Sequence, residues 1–209
     1  MHASNWHIDS TSILSRRELA AVLGNAKAKA AKSANAWRNL IVFRLACCGG
    51  LRVSEIAQLQ MADVIVNVDR PHIRLRCGAT KGGRSRCVPL WWDAGTLADL
   101  RAWKATRGQH GAGDRDPFVC SVQANRIGQS LQRHAVRRRF LSACKILGEA
   151  RLRTLTIHHG RHTFISHALA GGRSLAEVRA AAGHSNVAVT SVYLHVVVDE
   201  ADAVGDLFA

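Results

Sequence analysis

The stretch WRNLIVFRLACCGGLRVSEI, residues 37–56, orders the rest of the chain. From 37 to 48 it is apolar almost all round, as a helix buried on every side requires. Gly49 and Gly50 then supply a stop, because glycine tolerates the backbone that closes a helix C-terminus. Residues 53–59 read as another short helix. Arg52 stands between the two, among apolar neighbours, and is either a surface residue or an anion clamp. Glu55 follows three residues later on the same helical face and can hold the guanidinium by a charge-assisted bond.

Working outward, Ser15 and Glu18 form a capping box, the start signal of a helix that carries apolar Leu19, Val22 and Leu23. The Ala/Lys-rich residues 28–33 read as either helix or solvated connection. Beyond residue 59 the period changes. Residues 64–68, 72–77 and 86–90 alternate or carry β-branched side chains and read as strands. Between the last two lies GATKGGRS, residues 78–85, a glycine-rich hairpin loop. Its Lys81 is either solvated or a flexible cation that reaches a neighbouring groove. Helices follow at 93–105, 131–147, 158–170, 174–182 and 186–196, the second of them strongly basic. The expected fold is mainly α with a small three-stranded antiparallel β-sheet, of the α+β class. No internal repeat or Pro/Gly/Ser linker divides the chain, so one unit is expected after a polar lead at residues 1–11.

The charge narrows the partner. The 29 Lys+Arg against 15 Asp+Glu leave a net charge of +14 on 209 residues, in a chain that is 47% hydrophobic. A foldable chain this basic points to a polyanion, nucleic acid first and an anionic membrane surface second. No apolar run approaches the roughly 18 residues of a spanning helix. The polar opening MHASNWHIDS is no secretory signal. The six cysteines form no C-x-x-C pair or zinc-finger spacing and read as buried, reduced thiols. That suits a cytoplasmic, nucleoid-associated protein without a metal site.

Further residues carry chemistry. In HHGRHTFISHAL, residues 158–169, His158 and Arg161 are spaced i, i+3 and share a face. With Thr156 as N-cap, His158 falls in the first turn, where the helix dipole favours an anion. The pair is either a phosphate site or part of a basic DNA-contacting helix without chemistry. His184 precedes the last helix, with Ser185 or Asn186 as cap; alone it reads as a surface residue. Tyr193 is the only tyrosine in the chain and on its own reads as a half-buried amphipathic side chain.

Taken together, the order R…K…H-x-x-R…H…Y resembles the catalytic domain of the tyrosine recombinases, the phage integrase family. The matching motifs are G-L-R-V-S-E-I at 50–56, the Lys81 hairpin ending in V-P-L at 88–90, H-x-x-R-H-T at 158–163, G-H-S-N at 183–186 and Y-x-H at 193–195. The resemblance covers residues 12–196. The resemblance implies a site-specific recombinase that cleaves and rejoins double-stranded DNA without metal, ATP or other cofactor. It implies Tyr193 as nucleophile forming a 3′-phosphotyrosine, and His158 as acceptor of its proton. Arg52 and Arg161 would hold the nonbridging oxygens, with His184 as a further donor and Lys81 as acid for the 5′ leaving group. It also implies self-association into a tetrameric synapse on DNA, with accessory DNA-bending or core-binding factors.

The chain departs from the family pattern. Gly160 stands where an apolar residue, often leucine, is usual; glycine in a helix costs about 1 kcal/mol relative to alanine and is expected to loosen it. His159 replaces a common acidic residue, and Ala181 and Ala182 replace larger apolar ones. No N-terminal core-binding domain is expected, as in the single-domain fimbrial switch recombinases or a truncated product. DNA affinity would then rest on Arg133, Arg137, Arg138, Arg139, Lys145, Arg151 and Arg153. The tail at 197–209 is either a docking segment for a neighbouring protomer or a frayed end. The alternatives are a noncatalytic DNA-binding regulator, a decayed integrase that retains the fold, or a topoisomerase-like enzyme.

Overall fold

In the computed structural model, which describes residues 10–76 and 85–195, Ser15 opens the first long helix. Its hydroxyl accepts the Glu18 N–H at 3.1 Å and the Glu18 carboxylate accepts the Ser15 N–H at 2.9 Å, the reciprocal pair the sequence predicts. The helix, α1 (Arg16–Ala30), runs on through the first half of the Ala/Lys-rich segment and buries Leu19, Val22, Leu23 and Ala26. A short turn leads to α2 (Ala34–Phe43). The predicted buried helix then changes pitch: Arg44–Cys48 adopts the wider π turn, closed by the Gly49 N–H on the Arg44 carbonyl at 2.9 Å. Arg44 is fully buried there and ion-paired with Asp99 at 2.8 Å and Asp93 at 3.5 Å. Gly50 has φ +63°, and a Cβ at that position would overlap the Phe164 ring, so the stop signal also serves a close approach.

After α3 (Val53–Gln58) comes the sheet, β1 (Val64–Ile65), β2 (His72–Leu75) and β3 (Arg86–Pro89), antiparallel in the order β1-β2-β3. Ile73 pairs with Val64 on one side and Val88 on the other, all three buried. The strands are shorter than their sequence pattern. Lys81, Cys77, the N-terminal residues 1–9 and the tail at 197–209 lie outside the described residues.

The remaining elements are helical: α4 (Ala94–Gln109), α5 (Arg133–Ala143), α6 (Glu149–Thr154), α7 (Ile157–Ala170), α8 (Leu175–Ala182) and α9 (Val187–Ser191). A final 3₁₀ turn covers Val192–His195. The sequence reading omits α6, which follows Gly148 at φ +83°. The core joins stacked Phe43 and Phe140, 5.9 Å between centroids, with the edge-on pair Trp37 and Trp103 at 5.3 Å. Of the five described cysteines, all free thiols, Cys87 is exposed and the other four are buried. Among the described residues no helix is long and apolar enough to cross a membrane.

Packing gives two of these residues other roles. α7 runs unbroken through Gly160. A Cβ there would sit 3.0 Å from the Ala46 Cβ and 3.2 Å from the Cys47 sulfur, so its absence lets α7 lie close on the π turn. Arg151 is not a free phosphate contact. It donates to Glu18 at 2.8 Å and to the Thr11 and Ile13 carbonyls at 2.8 and 2.5 Å, tying α6 to the start of the chain.

Candidate active site

The site is built around the C-terminal end of α8. The last carbonyls of any helix lack partners within it, and the helix dipole makes that end attractive to cations. Gly183, in the left-handed conformation at φ +66°, turns the chain away and leaves these carbonyls pointing outward. Three arginines take three consecutive ones. Arg86 donates through Nε to the Ala181 carbonyl at 2.9 Å. Arg161 donates to the Ala182 carbonyl, and to the Gly50 carbonyl at 2.8 Å. Arg52 makes a long 3.5 Å contact to the Gly183 carbonyl.

A carboxylate locks two of these cations together. Glu55 is completely buried. It accepts the Arg52 N–H at 2.7 Å and the Arg52 guanidinium at 2.9 Å, and it receives both Nη atoms of Arg86 at 2.6 and 2.8 Å. Burial raises the Glu55 pKa, but the Arg86 fork and the Arg52 groups outweigh it and the net shift is downward. The carboxylate therefore stays ionised between two guanidinium groups.

Arg161 comes from the first turns of α7, which Thr156 starts. Here the Thr156 N–H donates to His159 Nδ1 at 2.8 Å, so His159 does the work of the carboxylate in a capping box. His158 is exposed in the first turn. Desolvation lowers its pKa, as do Arg137, Arg161 and Arg52 nearby. Arg161 is buried, and desolvation followed by repulsion from Arg52 and Arg86 pushes it down to about 9, still a cation at neutral pH.

Tyr193 is only 3% exposed. Its hydroxyl lies 2.6 Å from His162 Nδ1, and its ring stacks near His184 at 6.4 Å between centroids. The phenol pKa rises to about 12 because of burial, with Arg161 pulling the other way. His184 anchors to Thr190 Oγ1 through Nδ1 at 2.9 Å. Desolvation and the surrounding cations hold both His162 and His184 down at about 4, so both rings are neutral at pH 7. A neutral ring with an unprotonated Nδ1 accepts the phenol's hydrogen.

Arg52, Arg161, His158, His184 and Tyr193 thus lie within one electrostatic neighbourhood. The sequence reading quotes His162 inside its motif without a role and does not single out Arg86. The spacing of His162 one residue after Arg161 carries no local signal, because its partner is 31 residues away. Among the described residues no group of three or more His, Cys, Asp or Glu side chains is disposed to hold a metal ion.

The profile of the phage integrase family matches residues 13–200. The chain belongs to that family, the tyrosine recombinases. This integrase-family chain is 32% identical over 163 residues to the tyrosine recombinase XerC of Pseudomonas putida, covering 76% of the chain and 48% of the relative. It is 31% identical over 159 residues to the XerC of Corynebacterium glutamicum, again covering 76% of the chain and 47% of the relative. It spans about half the length of these curated relatives. Among solved structures its fold is similar to that of XerA recombinase, with a TM-score of 0.68, 22% identity and coverage of 88% of this chain and 60% of that one. It also resembles a lambda integrase dimer bound to a COC′ core site, with a TM-score of 0.61, 19% identity and coverage of 99% and 65%.

Proposed function

We propose that this chain is the strand-transfer unit of a site-specific DNA recombinase and acts through Tyr193. The observation that carries the reading is the shared origin of the two halves of the site. Arg161 and Arg52 end on the Ala182 and Gly183 carbonyls, and the chain leaving that turn brings His184 and then Tyr193 back against α7. The bonds described use two of the five N–H donors on each guanidinium, so both forks keep hydrogens for the nonbridging oxygens of a phosphodiester.

The Tyr193 oxygen attacks the phosphorus and forms the P–O(Tyr) bond as the P–O5′ bond breaks. The product is a 3′-phosphotyrosine and a free 5′ hydroxyl. The phenol's proton passes to an imidazole. The family resemblance assigns this to His158, and His162, 2.6 Å from the hydroxyl, is the acceptor in reach in the observed arrangement. Lys81 is the proposed acid for the 5′ oxygen. A second 5′ hydroxyl then attacks the phosphotyrosine and reverses the step. The covalent link conserves the bond energy, so the exchange itself consumes no ATP. Because Tyr193 is buried, the short segment formed by α9 and the 3₁₀ turn has to carry the phenol toward the phosphate.

Solved relatives of this fold are bound to DNA, as in the XerH recombinase on its difH substrate and the lambda integrase dimer on its core site. By that likeness the partner here is duplex DNA, with assembly of several copies on it. The basic surface supports this. Arg38, Arg126, His134, Arg138 and Arg139 line an open polar hollow of about 560 Å³ beside the N-terminal half of α5. Arg38 is buried at its base, and desolvation and then Arg139 lower its pKa to about 10. Binding of this kind weakens steeply with salt.

The test is a pool of nicked suicide duplexes drawn from DNA flanking the gene. A covalent protein–DNA adduct that disappears in Tyr193→Phe is the expected result. A salt-sensitive gel shift with no adduct from the unmodified protein would instead make the chain a noncatalytic DNA-binding regulator.

A further inference from the structure

We infer that Arg86 is a positioning residue for the strand-transfer site, setting the orientation of Arg52 through Glu55 and holding the end of α8 beneath Arg161. The inference rests on the functional reading above. It adds a residue that no feature of that reading requires.

The geometry is specific. Arg86 opens β3, where it pairs with Leu75 of β2, and its side chain is only 7% exposed. All three of its guanidinium nitrogens are engaged. Nη1 and Nη2 meet the two oxygens of Glu55 at 2.6 and 2.8 Å, the parallel fork that arginine alone can make. Nε meets the Ala181 carbonyl at 2.9 Å. With three of its five N–H donors on the protein and its side chain 7% exposed, Arg86 is not a free phosphate clamp.

The fork has two consequences. Without Arg86, Glu55 would be held by Arg52 alone, the residue it has to orient. Held by Arg86, it presents Oε1 to the Arg52 guanidinium at 2.9 Å and Oε2 to the Arg52 N–H at 2.7 Å. It also leaves the cluster of Arg52, Arg86 and Glu55 with net positive charge, as an anionic substrate requires. The Ala181 bond fixes the carbonyl next to the one that receives Arg161, so Arg52 and Arg161 take their places from one rigid edge. Gly183 completes the fit. A Cβ there would come within 2.6 Å of the Arg86 Cδ, so the turn before His184 is shaped around this arginine.

The experiment measures single-turnover adduct formation on the suicide duplexes at saturating protein, with DNA affinity measured separately in a Tyr193→Phe background. Partners that orient a metal ligand from behind typically cost 10–100-fold when removed, and a guanidinium oriented through a carboxylate is held in the same way. Arg86→Gln should lower the adduct rate constant by about that factor, 10–100-fold, while DNA affinity stays within about twofold. Arg86→Lys, which keeps the charge and loses the fork, should recover part of the rate. In the double variant with Glu55→Gln, the two losses should not multiply, because both act through one contact. A purely structural role would lower the reacting fraction and leave the rate constant of the remainder unchanged. That result, or fully multiplicative losses, would overturn the inference. No adduct from the unmodified protein would overturn the functional reading and this inference with it, and so stands apart from a failure confined to Arg86.

Discussion

Arg161 and Tyr193 lie in one site and are held by different means. The guanidinium of Arg161 ends on two backbone carbonyls, from Gly50 and Ala182, that belong to two separate chain turns. Its neighbours Arg52 and Arg86 share a buried carboxylate. The hydroxyl of Tyr193 ends on one imidazole nitrogen. The tyrosine follows a five-residue helix whose N-cap is Asn186, accepting the Ala188 N–H at 3.0 Å. The cationic half is thus built into the core, and displacing it means moving α8. The phenolic half rides on an element with little buried surface of its own, the kind that opens at low free-energy cost. A charge stabiliser gains from preorganisation, whereas a nucleophile that must meet a phosphate gains from being able to move.

Perturbations of each half should show this contrast. Glu55→Ala leaves two guanidinium groups facing each other in a buried place, and loss of one partner of a buried pair typically costs about 3–5 kcal/mol. Chemical denaturation should report a loss of that order; a change below about 1 kcal/mol would mean that water already reaches the pair. Arg161→Lys cannot bridge the Gly50 and Ala182 carbonyls while presenting a fork to phosphate. It should lower the adduct rate by on the order of 10²–10³, with DNA affinity nearly retained in a gel shift. Asn186→Ala removes the cap of α9 at about 1 kcal/mol. Hydrogen exchange should accelerate across residues 187–195 with little change in global Tm. A full drop in Tm would show that the tyrosine segment unfolds with the core.

The remaining expected effect is the response to acid. His162 and His184 titrate at about 4 in the folded protein, against an unfolded value of about 6.5. Between these values the unfolded chain binds more protons. The stability tied to the two neutral rings is therefore complete above about pH 6.5 and is lost as the pH falls toward 4. Tm measured across that window should decline in the unmodified protein, and the slope should flatten in His162→Gln. Equal slopes would mean that the ring beside Tyr193 is solvated in solution.

Some helix starts were legible in the sequence because they are decided within four residues. Ser15 with Glu18 and Asn186 with Ala188 form the caps that their spacing allows. The double-glycine stop and the alternation around Ile73 belong to the same class. The reading faltered where a residue answers to something distant. Gly160 looked like a weak point in a helix and is a close approach to Ala46. Arg151 looked like a phosphate contact and ties down residues about 140 positions earlier.

For the site, the sequence by itself determined which chemical groups are present and in what order along the chain. Tertiary structure alone decided that a carboxylate at 55 meets an arginine at 86, that Arg52 reaches a carbonyl 131 residues away, and that the phenol rests on His162. The physical reason is range. Backbone hydrogen bonding and side-chain periodicity are settled among near neighbours, whereas the partner of a buried charge is whatever the packing of distant elements brings within 3 Å.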